Sequence, residues 1–266
     1  MKLLHKKYTS ITVVGLLASI ATSNAAAIAI SGNQILAGQG NSGELVGTNN
    51  ATAIQVRNGY ALTVEDAAVV NLTSGINISQ GVNGSGASIT QLGTSDVNVG
   101  GNLSLSGNAT GGTSSYTMSG GTLDITGDFN SGANYAATFA IVGNSAAVNV
   151  GGVLNANTDS LFDFTFGATG MNAINVTGVM SIFSGSELSI DGSSYTGGAG
   201  TINLFSYGSA GTADEFAETI SGFSGYNTDV VYGATGVDLV LSAVPEPSSS
   251  VLLCGGLGLL ALRRRR

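Results

Sequence analysis

The sequence predicts an all-β fold: a right-handed parallel β-helix of stacked coils, closed by a β-rich cap and flanked by a cleavable leader and a short membrane segment. Three observations carry that expectation. First, five segments repeat an apolar, polar, apolar triplet followed by a glycine and a further apolar residue. They are Val70-Asn-Leu-Thr-Ser-Gly75-Ile76, Val97-Asn-Val-Gly-Gly101-Asn-Leu103, Leu123-Asp-Ile-Thr-Gly127-Asp-Phe129, Val148-Asn-Val-Gly-Gly152-Val-Leu154 and Ile174-Asn-Val-Thr-Gly178-Val-Met180. Their starts lie 27, 26, 25 and 26 residues apart. A fixed period in this range marks a solenoid, in which one coil cannot bury its own apolar face and stacking builds the core. Second, an additional strand pattern precedes four of the five, around Ile89, Tyr116, Phe139 and Phe164, so that about 25 residues fit three short strands and their turns. Third, the chain of 266 residues has 41 glycines, only 9% charged residues, no tryptophan and just two prolines. Asn, Ser and Thr therefore supply the polar surface, as suits a secreted β-solenoid better than an α/β enzyme.

Taken in order, residues 1–27 read as a signal peptide. Lys2, Lys6 and Lys7 form the positive start, Ile11 to Ile20 the apolar core, and Ala25-Ala26-Ala27 the small-residue site. Cleavage is expected after Ala27, or after Ala25, following export by the Sec machinery. Residues 28–180 are the solenoid. Its opening part, to about Gly81, holds short alternating runs such as Ala61-Leu-Thr-Val64 broken by Gly and Asn, the period of strands rather than helices. In the repeats, the outward triplet positions Asn71, Asn98, Asp124, Asn149 and Asn175 should form a polar ladder along one face. Solvation and side-chain hydrogen bonding explain such a ladder. A carbohydrate-facing strip is the sharper alternative, because neutral amides suit sugar hydroxyls, although no aromatic platforms accompany it.

Residues 181–243 form the cap. Ser186 to Ile190, Thr201 to Ser206, Asp229 to Tyr232 and Val237 to Leu241 read as strands, and Thr212 to Ile220, with Asp214, Glu215 and Glu218, as a short helix or an acidic loop. The task of such a cap is to cover an open sheet end, which otherwise invites association.

The tail, residues 244–266, reads VPEPSSSVLLCGGLGLLALRRRR. Pro245-Glu246-Pro247 stops the preceding strand, since proline fixes φ and cannot donate to a ladder. Residues 251–262 form an apolar run too short to cross a bilayer comfortably, where about 20 residues are needed, so it serves as a transient stop. Arg263, Arg264, Arg265 and Arg266 stay cytoplasmic by the positive-inside rule, which leaves the body outside.

That order of Val244, Pro245, Glu246 and Pro247, short hydrophobic helix and arginine cluster closely resembles the PEP-CTERM sorting signal of Gram-negative bacteria. The resemblance implies recognition by an exosortase, a membrane protease that processes the chain near the Pro-Glu-Pro triplet. It also implies a surface or matrix location associated with exopolysaccharide. The stretch Gly120-Gly-Thr-Leu-Asp-Ile-Thr-Gly127 resembles autotransporter-associated β-strand repeats, and residues 181–243 resemble the closing segment that precedes the signal in repeat-bearing PEP-CTERM proteins.

Charge and rare residues exclude several functions. The region between the two ends keeps one basic residue, Arg57, against fifteen carboxylates. Such a body cannot neutralise phosphates, so no nucleic acid is expected as a partner. Cys254 lies in the tail and His5 in the leader, so the mature body has neither disulfides, soft-ligand metal sites, Cys nucleophiles nor Ser-His-Asp triads. No cofactor is expected. Hydrolysis needs two carboxylates about 5–10 Å apart. Asp124 with Asp128, or Asp159 with Asp163, are the candidates, but a spacing of four across a turn does not fix that distance. The expectation is therefore a non-catalytic envelope or matrix protein, with a carbohydrate-binding or adhesive protein as the alternative and a glycan-degrading enzyme as the third.

Overall fold

A computed structural model describes residues 29–31, 34–37, 43–56, 60–78, 86–105, 113–132 and 135–245. Among these residues there are strands and turns and no helix. The body is a parallel β-solenoid of about six coils with three strand files, or faces.

Each coil crosses the faces in the same order. Face 1 stacks Gly43–Leu45, Ala61–Val64, Ala87–Gln91, Ser114–Met118, Ala137–Val142, Ser160–Thr165, Glu187–Asp191 and Ala217–Ser221, all parallel. Face 2 stacks Thr48–Ala51, Val69–Leu72, Asp96–Val99, Gly121–Ile125, Ala146–Val150 and the first part of Ile174–Ile182. Face 3 stacks Gln34–Ala37, Ala53–Val56, Ile76–Ile78, Leu103–Leu105, Phe129–Ser131, Leu154–Ala156 and the end of Ile174–Ile182. An antiparallel partner, Ala29–Ser31, precedes face 3.

The register explains the repeat. Val70, Val97, Leu123, Val148 and Ile174 lie opposite one another, and each is at most 1% exposed. Alternation at period two sends these residues inward and their neighbours outward. The further apolar residue of each repeat, from Ile76 through Leu103, Phe129 and Leu154 to Met180, starts the inward file of face 3. The glycine between them sits at the corner where coils approach most closely. A Cβ on Gly75 would run into the Asn102 carbonyl, and one on Gly178 into the Gly152 carbonyl.

Aromatic residues fill the core of the later coils. Tyr116, Phe139 and Phe162 stack rung on rung at centroid distances of 5.8 and 6.1 Å, with Phe129 edge-on to Phe139 at 5.0 Å. Several polar groups interrupt the core: among the described residues, six buried serines, of which Ser114, Ser131 and Ser160 leave their hydroxyls without a hydrogen-bond partner, and one carboxamide. Gln91, fully buried, stands in the inward file Val64, Gln91, Met118, Ile141 and is saturated. Its Nε2 donates to the carbonyls of Ser95 at 2.9 Å and Thr122 at 2.8 Å, and its Oε1 accepts from the Tyr116 hydroxyl at 2.7 Å. Burial holds that phenol well above its ordinary pKa.

Parallel stacking continues past residue 180. Glu187–Asp191 and Ala217–Ser221 extend face 1, and Gly200–Ala213 lies parallel on Ile174–Ile182. The segment Thr212 to Ile220 is not a helix. Asp214 to Phe216 form a short loop, and from Ala217 the backbone enters the ladder, its N–H donating to the Ser186 carbonyl, while Phe216 buries its ring against Phe162 at 5.7 Å. Two antiparallel strands then follow, Tyr226–Tyr232 and Gly236–Ala243, the latter paired on its other side with Gly200–Ser206, while Ala217–Ser221 stays the edge strand of face 1.

Glu218 occupies, in register, the position held by Leu62, Ile89, Tyr116, Phe139, Phe162 and Leu188 in earlier rungs. A carboxylate there blunts the exposed edge against further pairing. The Tyr232 hydroxyl donates to it at 2.6 Å, tying the terminal hairpin to the last rung.

Candidate sorting site and polar faces

The tail leaves the fold at a sharply defined atom. The final ladder pair is Tyr226 opposite Ala243, and the Val244 N–H still donates to the Gly225 carbonyl at 3.0 Å. Pro245, exposed and without an N–H, ends the ladder. Val244 is 47% exposed. Upstream, Val237, Leu239 and Leu241 are buried, and their strand is hydrogen-bonded on both sides. Up to Ala243 the chain is thus held in the ladder, and Val244 and Pro245 are the first exposed positions beyond it. Glu246, Pro247, the apolar run 251–262 with Cys254, Arg263 to Arg266, and the leader site at Ala25 and Ala27 lie outside the described residues.

The outward triplet positions do form a ladder on face 2. Asn71 donates to Asn50 at 2.9 Å, Asn98 to Asn71 at 2.9 Å, Asn149 to Asp124 at 2.7 Å and Asn175 to Asn149 at 3.2 Å. Each carboxamide offers both a donor and an acceptor, so one residue type can link rungs above and below. The expected five positions are joined by a sixth, Asn50. Its coil lies before the repeats begin to match one another clearly in sequence.

A second row runs along face 3 through Gln55, Asn77, Ser104, Asn130, Asn155 and Ser181. Sequence reading by triplets missed it. Its signal is the residue that follows the apolar position after each corner glycine. Asn155 donates to Asn130 at 2.8 Å. At the corner between these faces a third device appears: Asn102 Oδ1 accepts from the Asp128 N–H at 2.8 Å, and Asp128 Oδ1 from the Val153 N–H at 2.9 Å.

The carboxylate pairs are thereby separated in role. Asp124 is an outward rung of face 2 held by Asn149, while Asp128 caps the corner of the next coil. Asp159 sits in a turn at φ 65°, and Asp163 points outward from face 1. Asp66 behaves like Asp128. Its Oδ1 accepts from the Thr94 N–H at 2.7 Å and hydroxyl at 3.0 Å, which hold the carboxyl below its ordinary pKa.

A groove of about 410 Å³ opens on face 3 in the early coils, lined on its polar side by Gln55, Ser74, Asn77, Asn102 and Ser104. A smaller one, about 280 Å³, lies beside Thr138, Leu161 and Glu187 on face 1.

Residues 243–266 match the family described as the PEP-CTERM protein-sorting motif, which begins one residue before the position expected from the sequence. No curated protein and no solved structure matches the chain. The molecule thus carries a PEP-CTERM sorting tail on a β-solenoid body, the mark of an exported, cell-surface protein sorted by an exosortase.

Proposed function

We propose that this is a non-catalytic structural protein of the cell envelope or extracellular matrix. Its signal peptide, residues 1–27, takes it through the Sec machinery. The apolar run 251–262 and Arg263 to Arg266 then hold it transiently in the membrane until an exosortase processes it near Pro245-Glu246-Pro247. The single observation that carries this reading is the chain leaving the ladder after Val244 on a β-solenoid whose face-2 amides, together with Asp66, Asp124 and Asp128, are engaged by the neighbouring coil. Groups so engaged stiffen a rod; they are poor acids, bases and nucleophiles. The test is the triple variant Pro245→Ala, Glu246→Ala, Pro247→Ala in the producing cells. The unprocessed precursor should accumulate in the membrane fraction, and unchanged maturation overturns exosortase handling.

The second reading, a carbohydrate-binding or adhesive surface protein working with exopolysaccharide, is favoured by the neutral groove on face 3. It adds a ligand to the structural role and leaves export and sorting as they are.

A further inference from the structure

Three features compete for a role beyond sorting: the acidic outer surface, the open edge of the last rung, and the groove on face 3. The carboxylates are dispersed, and among the described residues no three His, Cys, Asp or Glu side chains stand together to hold a metal ion. The last rung is blocked by Glu218 and its Tyr232 clasp. The groove has neither defect.

From it we infer that face 3 of the early coils is a binding site for an uncharged, hydroxyl-rich polymer, a neutral polysaccharide chain lying along the solenoid axis. The inference rests on the extracellular placement proposed above. At about 410 Å³ the groove falls within the range of small-ligand sites. Among the described residues that line it there is no charged and no aromatic side chain, which disfavours both ionic and flat apolar ligands. The body around it, with fifteen carboxylates against Arg57, repels polyanions.

The polar atoms differ from those of the ladders. On face 2, Asn71, Asn98, Asn149 and Asn175 are linked to their neighbours, and on late face 3 so are Asn130 and Asn155. Ser104 stands opposite Asn77 in register, yet among the described residues neither side chain makes a hydrogen bond. Asn102 spends only its oxygen, on Asp128, which leaves its two N–H donors. Donors and acceptors of both kinds thus line one trough, and a sugar hydroxyl, which is both donor and acceptor, replaces water there group for group.

Geometry fits a chain rather than a single ring. Gln55, Asn77 and Ser104 stand on three successive rungs, about 4.8 Å apart, so the row repeats along the axis as a polymer does. One wall is kept low by Gly75 and Gly101. Both are glycines because Cβ atoms there would press on the next or previous coil.

The protein recovered from its producing cells after export is run in native gels containing neutral α- and β-linked glucans, a mannan or a galactan, with alginate as the polyanion. At least one neutral polymer should retard it and alginate should not. Asn77→Ala and Ser104→Ala should each weaken retardation by about five- to tenfold, as expected for one lost hydrogen bond to a ligand. The isosteric Asn77→Asp should do the same, while Asn98→Ala on face 2 stays within about twofold. Retardation by no neutral polymer, retardation by alginate alone, or an equal loss from Asn98→Ala overturns the inference. The mass of each sample reports tail processing separately. A mature protein that ignores neutral glycans therefore refutes the groove and leaves the sorting reading intact.

Discussion

Tyr116→Phe removes one oxygen atom from the middle of the solenoid and should cost more than its size implies. Tyr116 and Gln91 are both fully buried, and the Gln91 Oε1 has the Tyr116 hydroxyl, 2.7 Å away, as its partner. Without it, a carboxamide oxygen remains in a dry core while its Nε2 is still held by Ser95 and Thr122, so the side chain cannot turn toward water. Leaving such a group unpaired costs about 1–3 kcal/mol. For a body of this length 2 kcal/mol corresponds to roughly 4–8 °C in melting temperature. Gln91→Leu alone orphans the phenol instead, and the double variant removes both orphans together. Its cost should therefore fall short of the summed single costs by about 1 kcal/mol or more. The assay is thermal unfolding followed by far-UV circular dichroism on the exported protein and the three variants. A Tyr116→Phe protein that melts with the parent, or strict additivity in the double variant, would refute the picture of a saturated polar knot.

Four further outcomes follow from the same structure. Phe139→Ala empties a position in contact with Tyr116, Phe129 and Phe162 and should destabilise by about 3–5 kcal/mol, read by denaturant unfolding. Gly121→Ala forces a Cβ onto the Ser95 carbonyl at φ 75° and should cost more than about 1 kcal/mol, whereas Gly143→Ala, also at positive φ but in open space, should cost less. Asp66, whose carboxyl is held below its ordinary value of 3.8 by Thr94, contributes stability that is present above that pH and lost as pH falls through the lower folded value. Asp66→Asn should therefore flatten the acid limb of a stability profile below about pH 4, seen by melting in a pH series. Asn149→Ala breaks two ladder bonds on an exposed face and should cost about 1–2 kcal/mol, with faster amide exchange in its own coil and the two beside it.

Much of this architecture was legible because a stacked fold writes its register into the sequence. Val70, Val97, Leu123, Val148 and Ile174 recur at nearly constant spacing since each must sit on the one before. The same constraint made the Asn ladder visible. The coils beyond Ile182 were harder to see, because residues 192–199 are inserted between rungs and the spacing breaks although the stacking does not. At Thr212 to Ile220 the acidic residues suggested a helix or loop; Asp214 to Phe216 do form a loop between two strands, and pairing with Glu187–Asp191 makes Ala217 onward a strand. The row through Asn77 and Asn130 stayed hidden for a simpler reason. Strands of three residues on face 3 are too short for alternation to show. At the tail, order and residue type carried the reading, and the structure added where the fold lets go of the chain.

The Asn and Asp ladders have one more consequence. A rung whose upper surface offers the same atoms as its lower surface is a repeatable unit, and a stretch of about 26 residues copied in tandem finds both its neighbours already complementary. Such a chain can lengthen by duplication without inventing a new interface, which makes the reach of the protein from its cell an easily inherited variable.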